Sequence, residues 1–366
     1  MSRLALKKLT ASDLTLFEWH FQNRNAGNQK AINLNADVFV DRLFPGLPEV
    51  SRDFGGRLPI DLFLYGPGMA SELNLQRKII KLGEYKNWRL DGETIHNPGD
   101  SPDRFNVLTD GDAAVMEFNE GHSPSRVRIV LLARAAAPDG PLVTQLDKRL
   151  TGNSMVTLSQ TELQSDILAA KIAPDHPIHE LLLEADLEDA AEGGATGAKR
   201  LRTRRSGRKV SRSELMDAKR HAEESGQLGE EFVNSVLQGM LDRKEIASFV
   251  WESAENAIAP YDFRTTDARG NASFVDVKAT QGEFGRAIHI SLAELEEMAE
   301  RDRYVIYRVY AMVESVAQLR LARDLSAFAK KVLATLSSLE AGVIADGVSV
   351  KPQVFKFGPE ITIRLP

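Results

Sequence analysis

An α/β protein in two parts is expected: a strand-rich N-terminal domain and a C-terminal domain ordered helix, three strands, helix, strand. Three observations lead there. The chain has 366 residues, 43% of them hydrophobic, enough for two cores. A charged, apolar-poor stretch divides it near residue 200. Beyond that stretch, a helical apolar stripe gives way to short alternating runs separated by turn residues.

The elements follow in order. Thr10 or Ser12 can cap a first helix on which Leu14, Phe17 and Phe21 fall at helical spacing. The amide-rich segment 22–30, with Arg24 and Asn25, is polar and turn-prone. Strands are expected at 60–65, 113–118 and 127–132, between Gly/Pro/Asp turns, so that 1–182 reads as a mixed α+β, barrel-like domain. Acidic residues from Glu180 to Glu192 then run through glycines into a basic block, Lys199 to Arg212, and 183–212 reads as a charged flexible linker. The remainder, 213–366, opens with a helix over 213–241 whose stripe is Phe232, Val233, Val236, Leu237, Met240 and Leu241. Two strands flank the turn at 267–271, and a third covers 286–290. Ser291 and Glu294 form a capping-box pattern for a helix to 301. A strand at 304–310, a helix near 323–340 and short strands at 354–357 and 360–365 complete the chain.

Cysteine is absent, which excludes disulfide staples and thiolate zinc sites. The first eight residues are too short and interrupted for a signal peptide, and no apolar stretch is long enough to span a bilayer, so the chain reads as cytoplasmic without membrane association. The formal net charge of -6 gives no general support to nucleic-acid binding, which would depend instead on local basic patches.

The chemistry concentrates in Phe274-Val275-Asp276-Val277-Lys278-Ala279. Side chains alternate along a strand, so Asp276 and Lys278 share one face while Val275, Val277 and Ala279 share the other. Asp262 lies one hairpin upstream. An acid and an amine beside a second carboxylate can bind a divalent cation and orient water against a phosphodiester. Three other acid-x-lysine triplets lack this setting. Asp217 and Lys219 diverge on a helix, Asp242 and Lys244 sit at a polar helix end, and Glu84 and Lys86 lack apolar alternation. Glu230 shares the core-facing stripe with Val233 and Leu237, and a carboxylate there needs a metal or an ammonium as partner.

The ordered set Gly226-x-x-Gly229-Glu230-x-x-Val233, Tyr261-Asp262, Val275 to Thr280, Ile290-Ser291-x-x-Glu294-Leu295 and Tyr304-x-x-Tyr307-Arg308-Val309 resembles the NO VEIN C-terminal-type domain over about 226–310. That domain is a branch of the PD-(D/E)XK nuclease superfamily. The resemblance implies a restriction-endonuclease-like αβββαβ core, with Asp262 and Asp276 as metal ligands and Lys278 as the catalytic lysine. Glu230 takes the place of the acid some members carry on the first helix. Mg²⁺ or Mn²⁺ would be held by Asp262, Asp276 and the Val277 carbonyl, and Thr280, Gln281 and Arg286 would contact nucleic acid. The acid before the lysine is Asp where Glu is commoner in this branch.

The function expected is a metal-dependent DNA endonuclease of restriction or phage-defence type, acting as a homodimer. The alternative is a catalytically silent nucleic-acid-binding or assembly subunit, with partner subunits in a defence complex. In the N-terminal domain, Arg24 and Asn25 suit base or phosphate contact. Arg77, Lys78 and Trp88 combine basic and aromatic character suited to phosphates and stacking.

Overall fold

The computed structural model describes residues 3–81, 83, 86–119, 122–191, 194–203, 210–256, 258–313, 315–340 and 342–366. The chain divides into two units, one of Met1–Glu184 with Thr203–Arg208 and one of Ala185–Arg202 with Lys209–Pro366.

The first unit is built on eight strands: β1 (Arg3–Lys8), β2 (Ala31–Leu34), β3 (Arg57–Tyr65), β4 (Leu73–Ile80), β5 (Trp88–Asp91), β6 (Ala113–Phe118), β7 (Arg126–Leu132) and β8 (Met155–Leu158). They form one nearly closed, barrel-like sheet in the order β2-β5-β4-β3-β7-β6-β1-β8, antiparallel except for the β3–β7 pair. Its helices are α1 (Ala11–Leu14), α2 (Glu18–Asn23), α3 (Ala36–Val38), α4 (Leu47–Asp53), α5 (Gly140–Leu150) and α6 (Gln160–Ala169). Strand period explains the layers. Ala114, Met116 and Phe118 of β6 join a core with Leu58, Ile60 and Leu62, while Ala113 and Val115 join Leu142, Val143 and Leu146 of α5 on the opposite face. Directly opposed in register, Glu117 and Arg128 make a buried ion pair of 2.8 Å.

The second unit contains α7 (Leu183–Ala191, which begins in the first unit), α8 (Ala195–Thr203, whose last residue belongs to the first unit), α9 (Arg212–Asp242), α10 (Glu252–Glu255), α11 (Leu292–Glu300) and α12 (Ser326–Leu336). Its strands are β9 (Ser248–Trp251), β10 (Phe263–Thr266), β11 (Ala272–Ala279), β12 (Ile288–Ser291), β13 (Tyr304–Val313), β14 (Val316–Ala322), β15 (Gly347–Val350) and β16 (Ile361–Arg364). The main sheet runs β16-β14-β13-β11-β10-β9, and β12 pairs with β15 separately. An antiparallel meander, β9–β10–β11, leads through α11 to β13, which lies parallel to β11. Phe232, Val233 and Leu237 of α9 bury against Val275, Val305 and Val309 on one face; α11 and α12 cover Tyr304 and Ile306 on the other. Burial of each such side chain stabilises by roughly 1.5–3 kcal/mol. Ser211 with Glu214 and Ser291 with Glu294 close capping boxes that fix where α9 and α11 start.

Several elements differ from expectation. The segment read as a flexible linker is helical over Leu183–Ala191 and Ala195–Thr203. Its opposite charges are spent locally: Arg200 pairs with Asp186 at 2.6 Å, and the Asp189 carboxylate accepts from the Gly197 N–H. Glu192, Gly193 and Arg204–Lys209 of that segment lie outside the described residues. The first expected helix is two short ones, α1 and α2, broken where Phe17 bridges to Ile95. The third strand expected at 286–290 leaves the main sheet as β12, and β9, unanticipated in Ser248-Phe249-Val250-Trp251, supplies the first strand of the meander. The strand expected at 354–357 does not form: a short 3-10 turn, Pro352–Val354, runs into its start, and Phe357 makes only an isolated bridge to Ala322. No helix among the described residues is long and apolar enough to cross a membrane.

Candidate active site

Strand β11 brings the acid and the amine together. Asp276 is 2% exposed, and its Oδ1 lies 3.1 Å from Lys278 Nζ. Lys278 also donates to Glu294 Oε2 at 2.9 Å, the same oxygen that caps α11 through the Ser291 N–H. Among the described residues, β11 has no strand partner on the β10 side beyond Val275. There Asp262 turns in, and its Oδ2 accepts the Val277 N–H at 2.6 Å. The Asp262 N–H donates to the Val275 carbonyl at 2.9 Å, and the Tyr304 hydroxyl donates to the Pro260 carbonyl at 2.7 Å. These two bonds pin the chain on either side of Tyr261. Glu230 of α9 accepts from the Trp251 indole at 2.8 Å and from the Ser253 hydroxyl at 2.5 Å.

Acid exceeds base in this group, and burial makes the excess costly. Burial, reinforced by the charge of Glu230, pushes the Asp262 carboxyl up to about 6, against the pull of the Val277 N–H and Lys278. Burial drives Asp276 well above the usual carboxylate range, although Lys278 works in the opposite sense. For Lys278, burial alone would lower the ammonium; Asp276 and Glu294 outweigh it and hold the group above its ordinary value. Burial, with Asp276 and Glu294 nearby, likewise raises the Tyr304 phenol.

Asp262 and Asp276 offer carboxylate oxygens of the kind a hard divalent cation takes. Among the described residues, buried Asp276 Oδ2 has no hydrogen-bond partner, the kind of orphan a bound cation would satisfy. Among the described residues no three carboxylate or imidazole side chains form a ready metal cage. Asp262 and Asp276 are the two carboxylates that could serve such an ion, with backbone oxygen and water needed to complete its shell.

One close approach sets the distance between α9 and β11. A Cβ on Gly229 would lie 2.2 Å from Ala279 Cβ, whereas a Cβ on Gly226 would meet nothing within 4 Å. Only glycine at 229 lets the helix seat here and bring Glu230 into the field of Asp262.

Asp276 and Lys278 pair, Asp262 lies within their electrostatic reach, and Glu230 acts on Asp262 through its charge. Thr280 is 1% exposed and donates to Glu188 at 2.8 Å; Arg286 pairs with the same carboxylate, and Gln281 is half-buried. A cleft of about 460 Å³ opens beside Lys278, walled in part by Ala191, Glu223, His289 and Arg308. In the first unit, Arg24 and Asn25 are exposed, with the Arg24 guanidinium 5.3 Å from the Trp19 ring centroid. Lys78 pairs with Asp91 at 3.6 Å, and Arg77 is half-buried in β4. The stacking role expected of Trp88 is corrected: it is 2% exposed, packed near Phe39 in the core, because β5 alternates Trp88 and Leu90 inward. Glu84 of the rival triplet lies outside the described residues.

Glu294, Trp251, Ser253, Arg308 and Glu188 were not singled out from sequence as parts of the site. Glu294 carried a signal, since its capping box starts a helix right after the strands, but nothing in that motif says that its carboxylate also meets a lysine. Glu188 stood in a run of acids with nothing to separate it from its neighbours.

Residues 229–321 match the family model described as Protein NO VEIN, C-terminal. The match contains every residue of the acid–amine group and supports the resemblance at the level of this domain. No curated protein and no solved structure matches the chain.

Proposed function

We propose that the second unit is a metal-dependent phosphodiesterase of PD-(D/E)XK type that cleaves DNA, with the first unit serving recognition. The observation that carries this reading is the Asp276–Lys278 pair beside Asp262, with the second Asp276 carboxylate oxygen buried and unsatisfied among the described residues. The meander followed by a helical crossover to a parallel strand agrees with a restriction-endonuclease-like core.

A divalent cation held by Asp262, Asp276 and the Val277 carbonyl would polarise the scissile phosphate and lower the pKa of a bound water. The chain's own groups do the rest. Lys278, kept protonated by Asp276 and Glu294, places a fixed positive charge where negative charge develops on the phosphate. Glu294 restrains the Lys278 side chain, and Tyr304 holds Asp262 in place through Pro260. Glu230, fixed by Trp251 and Ser253, adds negative charge beside Asp262 that attracts a proton in the free site and would attract a divalent cation in its place.

A second reading, a silent nucleic-acid-binding or assembly subunit, is favoured by two observations: Lys278 is committed to two carboxylates, and no third side chain completes a cage among the described residues. Purified protein incubated with plasmid, phage and base-modified DNAs in Mg²⁺ or Mn²⁺ separates the two. The nuclease reading expects cleavage that Lys278→Ala abolishes; nicking that persists in that variant rejects the site. The second reading expects DNA retention that Asp276→Ala leaves intact.

A further inference from the structure

Two groups assigned to nucleic-acid contact already hold an anion. Thr280 lies two residues beyond Lys278, and its N–H still bonds to the Val309 carbonyl at 3.0 Å, so it continues the side of β11 that carries Asp276 and Lys278. Its hydroxyl donates to Glu188 Oε1 at 2.8 Å, and the Arg286 guanidinium pairs with Glu188 Oε2. Arg308, 2% exposed, ties this corner together. It donates to the Lys278 carbonyl at 3.1 Å and to the Arg286 carbonyl at 3.3 Å, linking the strand that bears the lysine to the segment that bears the arginine. Glu188 belongs to α7, and Ala191, three residues on, walls the cleft into which Lys278 opens.

A hydroxyl and a guanidinium converging on one oxyanion make the same charge-assisted bonds to a carboxylate as to a phosphate. We infer that Thr280 and Arg286 form a backbone-phosphate subsite of the cleft, and that Glu188 is an internal competitor occupying it. A nucleic-acid strand then binds beside Lys278 only when α7 gives up this contact, and α7 acts as an autoinhibitory strap. The identity of the ligand as a nucleic-acid backbone rests on the phosphodiesterase reading.

The test uses the full chain and a fluorescein-labelled DNA duplex and single strand, followed by anisotropy, with cleavage of the same DNA in Mn²⁺ measured alongside. Glu188→Gln should bind at least about fivefold more tightly than wild type, the lower end of ordinary coupling between sites. Glu188→Asp, which keeps the charge but withdraws it by a methylene, should gain less. Adding Arg286→Gln should cancel the gain, and Glu296→Gln, an exposed acid on α11, should produce none. Equal or weaker binding by Glu188→Gln and Glu188→Asp, with wild type still cleaving, makes Glu188 a structural brace and overturns this inference alone. If no variant binds or cleaves DNA, the phosphodiesterase reading falls and takes the competitor with it.

Discussion

Gly229→Ala measures how closely α9 must approach β11. The added Cβ would sit 2.2 Å from Ala279 Cβ, 3.5 Å from its Cα and 3.6 Å from Val277 Cγ1. Non-bonded carbons rest at about 3.5–4.0 Å, so the helix and strand must part by roughly 1.5 Å at this point. Overpacking of that kind costs about 1–3 kcal/mol, offset by up to about 1 kcal/mol from replacing glycine in a helix. Gly226→Ala, one turn earlier with open space around it, carries only the favourable part. The two variants should therefore differ by about 1–3 kcal/mol, with Gly229→Ala the less stable. Urea titrations followed by circular dichroism would read this difference, and the double variant Gly229→Ala/Ala279→Gly should recover most of it by removing the opposing methyl. Cleavage should fall in Gly229→Ala, since Glu230 moves with the helix. Equal stability of the two alanine variants would refute the packing argument.

Three further outcomes are expected. Asp262 titrates near 6 in the fold against an ordinary 3.8, so the folded state holds the extra proton between these values. Without cation, this group's contribution to stability is full below the ordinary value and is lost as pH rises through about 6. Asp262→Asn should flatten that part of the profile in thermal melts, and wild-type Mn²⁺ affinity, read by calorimetry, should weaken as pH falls below 6. Lys278→Met leaves Asp276 and Glu294 without their ammonium and should cost about 3–5 kcal/mol in urea unfolding at neutral pH. Trp88→Ala should cost about 3–5 kcal/mol as a core truncation and, at temperatures where the variant stays folded, leave DNA affinity unchanged by anisotropy.

Much of the site was legible because strand alternation is local information. Asp276 and Lys278 share a face by period alone, and the hairpin at 267–271 places Asp262 near them without any long-range knowledge. The first unit was legible where its strands alternate, as in β6 and β7, and obscure where charge interrupts apolar residues. Arg77 and Lys78 in β4 read as a basic surface segment, yet their strand is in the sheet, and the inward place of Trp88 depends on pairing with β2 and β4. The helices within the segment read as a linker were hidden for a related reason: composition counts apolar residues but not salt bridges such as Asp186–Arg200. Similarly, Glu294 meets Lys278 only through the crossover from β11 to β13, a tertiary fact that no local motif records.

The most direct measurement places wild type beside Asp276→Ala, with supercoiled DNA and Mn²⁺, and counts nicked and linear product over time while the melting curve of each protein is recorded. Cleavage by the wild type, with loss in a variant that still melts cooperatively, is the predicted result. Equal cleavage by both proteins, or none by either across the DNA substrates, contradicts the claim that the paired aspartates and their lysine form a phosphodiesterase centre.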